Sequence, residues 1–123
     1  LDSYTLSGAL KICINLVNLR LGLQVHGLAV ISGYELDYIV GSILVDLHAN
    51  VGDIQDAQRL FHVLPNKDII AFAGLIRGCV RAGFNSLAFD LFRELAKLGF
   101  DADQFIVSSI LKVCSSLASL GWE

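Results

Sequence analysis

The sequence predicts an all-α fold, a solenoid of helix-turn-helix repeats, and two observations carry that expectation. The first is self-similarity at fixed offsets. Ser7, Leu10-Lys11-Ile12-Cys13 and Leu16 return as Ser108, Leu111-Lys112-Val113-Cys114 and Leu117, all 101 residues later. Gly33-Tyr34 and Asp37 return as Gly99-Phe100 and Asp103, offset by 66, and Gly52, Ala57 and Leu60-Phe61 return as Gly83, Ala88 and Leu91-Phe92, offset by 31. Four aspartates, Asp2, Asp37, Asp68 and Asp103, mark the joints at spacings of 35, 31 and 35, which add to the same 101. The second observation is helical periodicity within each unit.

Taken in order, residues 3–37 form a unit that divides near Asn18, and residues 38–68 one that divides near Val51-Gly52. In residues 69–103, Ile69, Ile70, Phe72, Leu75, Ile76, Cys79 and Val80 recur at helical spacing. Gly83 interrupts, and Leu87, Ala88, Leu91, Phe92 and Leu95 build a second amphipathic helix that Gly99 ends. Pro65 sits past the second helix of its unit, where no helix continues. Residues 104–123 open a fourth unit with one helix. The expectation is seven helices, near 3–16, 20–32, 38–50, 53–64, 69–82, 85–98 and 104–117, in a single array of three complete repeats and one truncated. A lone hairpin cannot bury its apolar face, so neighbours must stack.

Composition narrows the function. The chain has 123 residues, is 54% hydrophobic, contains one proline and carries a net charge of −3. Disorder is excluded. The longest stretch without charge, Leu21 to Tyr34, is broken by Gln24, His26 and Ser32 and is shorter than the ~20 residues of a bilayer span, so no membrane contact is expected. The start, Leu1-Asp2-Ser3-Tyr4, shows no targeting segment, and the chain reads as a fragment. The acidic balance argues against a strong grip on phosphates.

These residues resemble the pentatricopeptide repeat family, and within it the plant subgroup that alternates long, short and standard units. Leu10-Lys11-Ile12-Cys13, Gln24-Val25-His26 and Ser32-Gly33-Tyr34 look like the long type. Val40-Gly41-Ser42-Ile43-Leu44-Val45-Asp46, Gly52-Asp53-Ile54-Gln55-Asp56-Ala57, Leu64-Pro65 and Asp68 look like the short type. Residues 69–103 are similar to the standard type, and a long unit restarts at Gln104. The resemblance implies a right-handed α-solenoid with the first helix of each unit on the concave side. It implies single-stranded RNA as partner, an organellar setting (mitochondrion or chloroplast), and a part in RNA processing or cytidine-to-uridine editing. A deaminase-like domain often follows such arrays in the family, and none of it is in this chain.

The resemblance also assigns roles. Base reading falls to the fifth residue of a unit with the last: Ser7 with Asp37, Ser42 with Asp68, Ala73 with Asp103, and Ser108 in the opening unit. The second residues, Tyr4, Ile39, Ile70 and Phe105, sandwich the base. Ser42 with Asp68 is the best match, and for guanine; Ala73 stands where asparagine, threonine or serine is usual. Chemistry alone agrees in part. Second, fifth and ninth residues share a helix face, which collects Lys11, Arg77 and Lys112, with Arg81 one turn on and Asp46 as the exception. A carboxylate only accepts hydrogen bonds, so the joints suit the ring N–H of guanine or uracil and disfavour adenine and cytosine. The same aspartates suit helix N-caps, and the basic stripe suits a solvated face.

Nothing points to catalysis, and no enzyme activity, cofactor or metal is expected. Cys13, Cys79 and Cys114 hold the eleventh place of their units, as His48 does in the short one, and no pair has metal-motif spacing with His26 or His62. They read as packing residues. The alternative function is a scaffold that docks editing-complex proteins through its long units. A last expectation is end-to-end self-association through apolar faces at Leu6 and Leu10 on one end, and at Phe105, Ile106, Ile110, Leu111, Val113 and Leu117, with Trp122, on the other.

Overall fold

The structure, a computed structural model, describes residues 2–101 and 103–119, and side chains at all of these except 105 and 117–119. Among the described residues the chain forms helices α1 (Ser3–Asn15), α2 (Leu19–Ile31), α3 (Tyr38–Val51), α4 (Ile54–Val63), α5 (Ile69–Ala82), α6 (Asn85–Lys97) and α7 (Gln104–Ser119), and no strand. The seven expected helices are present at nearly the expected bounds. None is long and apolar enough to cross a membrane.

Each boundary has a local cause. Asp2, Asn18, Asp37, Asp53 and Asp68 cap the starts of α1 to α5, each side chain accepting a backbone N–H of the first turn. Asp103 accepts from Ile106 N at 2.9 Å ahead of α7. Left-handed glycines, Gly52 (φ 94°) and Gly83 (φ 86°), end α3 and α5. The first helix of the long unit lacks this device, although Gly33 (φ 81°) follows its second. Between α1 and α2 the left-handed position is held by Val17, at φ 55°, where a β-branched side chain is strained.

The first helices α1, α3, α5 and α7 stack side by side as one layer. Each second helix packs on its own first helix and on the first helix of the next hairpin, and among the described residues no Cα of one second helix lies within 8 Å of a Cα on another. The layer of first helices is therefore the more closely spaced, as the inside of a curve must be. Small residues permit that spacing. A Cβ on Gly74 of α5 would lie 2.6 Å from Oδ1 and 2.9 Å from Cα of Asp46 on α3, and one on Gly78 would lie 2.7 Å from Cβ of Ala49. Phe61 of α4 meets Phe72 of α5 edge to face, ring centres 4.9 Å apart, and ties the second hairpin to the third.

The end faces differ from expectation. Leu6 and Leu10 of α1 are buried, as are Ile106, Ile110 and Val113 of α7. Each helix turns these residues onto the neighbour it does have, so they are not the open surfaces that end-to-end association was expected to use. Of the expected set only Leu111 is exposed among the described side chains, at 62%, with Val107 beside it. Phe105 and Leu117 side chains and Trp122 lie outside the described residues.

Replacing Val17 by glycine removes the left-handed strain without touching a contact of the core, since Val17 is exposed. Val17→Gly is expected to stabilise the chain by about 1 kcal/mol, read as a higher midpoint in urea unfolding, whereas Gly52→Val should destabilise it by a similar amount.

Candidate nucleic-acid interface

The face formed by the first helices holds nearly all the residues that the sequence singled out. Tyr4 is 77% exposed, Ile70 is exposed and Ile39 half-buried, an arrangement open to stacking. Phe105 lies outside the described side chains. A groove of about 190 Å³ runs between α1, α3 and α5, lined by Lys11, Ile14, Asn15, Ile43, Asp46 and Ile70. It brings together the ninth residue of the first unit and the second residue of the third across the short unit.

The base-reading positions are less open than the sequence suggested. Ser42 is 0% exposed and its hydroxyl donates to the carbonyl of Tyr38 at 3.0 Å. Ser7 is buried too and donates to Tyr4 O at 3.1 Å, and Ala73 is buried. Ser108, on the last helix of the stack, is exposed. Serine hydroxyls in helices commonly turn back to a carbonyl of the preceding turn, and the close stacking of first helices shuts the space above them. Ser42, expected to be the best reader, is thus closed in this structure.

The joint aspartates cap helices and keep an acceptor to spare. Asp37 uses Oδ2 for the N–H groups of Ile39 and Val40, at 3.1 and 3.2 Å. Asp68 and Asp103 use Oδ1, for Ala71 at 3.0 Å and Ile106 at 2.9 Å. Capping occupies one oxygen, and the other is available to a ring N–H.

The basic stripe is partly neutralised. Arg77 Nη2 lies 3.5 Å from Oδ1 of Asp46, and Arg81 Nη2 donates at 3.1 Å to the carbonyl of Ala49, where α3 needs acceptors satisfied. Lys11 and Lys112 are exposed. Asp46 also accepts from Asn50 Nδ2 at 3.0 Å. Burial pushes its carboxyl above the ordinary range, and Arg77 pulls less strongly the other way. The sequence marked Asp46 only as an exception in the stripe. The signal that it is an anchor was the offset of 31 between Asp46 and Arg77, one short unit, which puts opposite charges at the ninth place of adjacent helices.

A second polar cluster, of which the sequence assigned only His48 to packing, lies between α2, α3 and α4. His26 Nε2 is 2.7 Å from Glu35 Oε2, and His26 Nδ1 is 2.8 Å from His48 Nε2. Burial, then His26, holds His48 below the usual imidazole range. Cys13 and Cys79 are buried, as packing residues should be, and burial pushes the Cys79 thiol up to about 11; Cys114 is exposed.

Comparison with known proteins agrees with this architecture. The sequence model of the PPR repeat matches residues 70–100. A pentatricopeptide repeat-containing protein of Arabidopsis thaliana is 88% identical over 121 residues, 98% of this chain. The chain belongs to the pentatricopeptide repeat family. Another Arabidopsis member, named as mitochondrial, is 33% identical over 97% of the chain, and a third is 36% identical over 94%. The chain spans 18%, 13% and 17% of the lengths of these three relatives.

The anchor makes a prediction about stability. Ionised Asp46 is disfavoured by burial, so its contribution falls as pH rises through its raised pKa. Asp46→Asn is expected to leave the thermal midpoint at neutral pH unchanged or raised. Arg77→Ala, which leaves that carboxylate without its cation, should lower stability on the order of 1–2 kcal/mol.

Proposed function

We propose that this chain is a non-catalytic module that binds single-stranded RNA along the face of its first helices, as part of a longer organellar factor for RNA processing or editing. The observation that supports this best is the repeated pair of features on that face. At each joint an aspartate holds its helix start with one oxygen and keeps the other, and Tyr4, Ile39 and Ile70 stand between joints as apolar surfaces for stacking. Family membership and the mitochondrial relative support the RNA and organelle parts of the reading.

Buried Ser7 and Ser42 add a step. For a base to meet either hydroxyl, adjacent first helices must part and the serine must give up its backbone carbonyl. Solenoid repeats touch only their neighbours, so parting one joint leaves the others intact. Binding energy is drawn down by that opening, and few phosphates are neutralised. Lys11 and Lys112 are exposed, while Arg77 and Arg81 are engaged within the protein. Affinity is accordingly modest and its salt dependence shallow.

A second reading has its own observation. In the long unit, α2 exposes Leu21 and Leu28 on one flank, Leu23 and Val30 on the other, and Ile31 between them. Such an exposed apolar surface suits a protein partner of an editing complex.

The test of the RNA reading is Asp68→Asn. Asparagine keeps the N-cap of α5 and adds an amide donor, which suits the acceptor nitrogen of adenine and not the N–H of guanine. Fluorescence anisotropy with RNAs differing at one base should show preference moving from guanine toward adenine by about 1–3 kcal/mol. Asp46→Asn, which frees Arg77, should tighten binding of all of them and steepen the salt dependence by about one phosphate. Unchanged preference in Asp68→Asn would favour the scaffold.

A further inference from the structure

The polar cluster between α2, α3 and α4 has a donor count that does not close. Glu35 accepts only, so for neutral rings the proton between Glu35 and His26 sits on His26 Nε2, and His26 Nδ1 is an acceptor. His48 Nε2, 2.8 Å away, then donates to it. That leaves His48 Nδ1 with a bare lone pair. His48 is 7% exposed, and Nδ1 is buried with no hydrogen-bond partner among the described residues, which is rare for a buried polar atom in a folded chain.

Two carboxylates stand beside it. A ring nitrogen of His48 and one oxygen from each of Asp53 and Asp56 lie within 4.8 Å of one another. Asp53 uses Oδ1 to accept the N–H of Asp56 at 3.1 Å, and Asp56 Oδ1 meets the exposed Arg59 at 3.0 Å, so each carboxylate keeps an oxygen. Such an exposed pair with Arg59 is weak and easily given up. With Nε2 taken by His26, Nδ1 is the ring nitrogen left to join the two carboxylates, and a cation would satisfy the three together.

We propose that His48, Asp53 and Asp56 bind a divalent transition-metal ion of the zinc class, with His26 and Glu35 holding the imidazole in the tautomer that presents Nδ1. His26, held by Glu35, takes the Nε2–H of His48, the position at which an outer partner orients a metal-bound imidazole. One nitrogen and two carboxylate oxygens suit zinc or cobalt better than a soft ion. Bonds near 2.0–2.2 Å require the three atoms to draw together, which rotation of the aspartate side chains supplies. A cleft of about 290 Å³, lined by His26, Glu35, His48, Asp56, Arg59, Leu60 and Val63, leaves room for water on the remaining positions. The ion would clamp the end of α3 to the first turn of α4. It shares no residue with the groove at Lys11 and Asp46, so it stands or falls apart from the RNA reading.

The test is titration of the 123-residue chain with cobalt(II) as the probe, followed by zinc competition. The expected result is one ion per chain, a visible d–d band without a thiolate charge-transfer band, and displacement by zinc. Asp53→Asn with Asp56→Asn should weaken binding at least tenfold with unchanged circular dichroism, because asparagine keeps the cap of α4. In the unaltered chain, long-range ¹H–¹⁵N spectra should show zinc shifting His48 Nδ1. No saturable binding, a thiolate band that places the ion on Cys114, binding unaltered by the double substitution, or a His48 Nδ1 signal that does not move would each overturn the proposal.

Discussion

The close approach of α5 to α3, at Gly74 and Gly78, is the contact on which the rest of this structure depends. Any side chain at Gly74 would strike the Asp46 carboxylate and, at 2.9 Å, the Asp46 Cα, so moving the carboxylate alone would not relieve the clash. Because the two backbones come this near, the first helices form one tight layer while the second helices stand apart from each other. The curvature of the solenoid and the closure over Ser42 share that cause.

The same approach sets the electrostatics of the face. With α5 against α3, Arg77 reaches Asp46 and Arg81 reaches the carbonyl of Ala49 near the end of α3. Two of the four cations expected to meet phosphate are therefore engaged within the stack. What remains for the proposed RNA ligand is a face that is more apolar than basic, with spare carboxylate oxygens at the joints. On such a face the proposed selectivity would come from base edges and stacking more than from phosphate attraction.

The helices were legible in the sequence because each is written twice, once as apolar periodicity and once as punctuation: aspartate at the start of a unit and glycine at the end of a helix. Family membership was legible for the same reason. The site was legible only in outline. Position in the repeat placed Tyr4, Ile39, Ile70 and the aspartates on one face, but exposure depends on how tightly neighbours pack, which a helical wheel does not contain. The burial of Ser42 was not foreseen on that account, nor was that of Leu6, Leu10, Ile106, Ile110 and Val113 at the ends. The His26–His48 pair was missed because its members come from different units and meet at a spacing of 22 residues, which matches no local motif.

The most direct measurement compares two glycine-to-alanine substitutions by urea denaturation. A methyl group added at Gly8 of α1 would find nothing within 4 Å, whereas one added at Gly74 would fall 2.9 Å from the Asp46 backbone. Gly8→Ala should stabilise the chain by up to about 1 kcal/mol through helix propensity. Gly74→Ala should destabilise it by about 1–3 kcal/mol through overpacking, in spite of the same gain in propensity. A Gly74→Ala chain as stable as its parent, or more so, would contradict the account, because α3 and α5 would not then be held at the distance from which the rest follows.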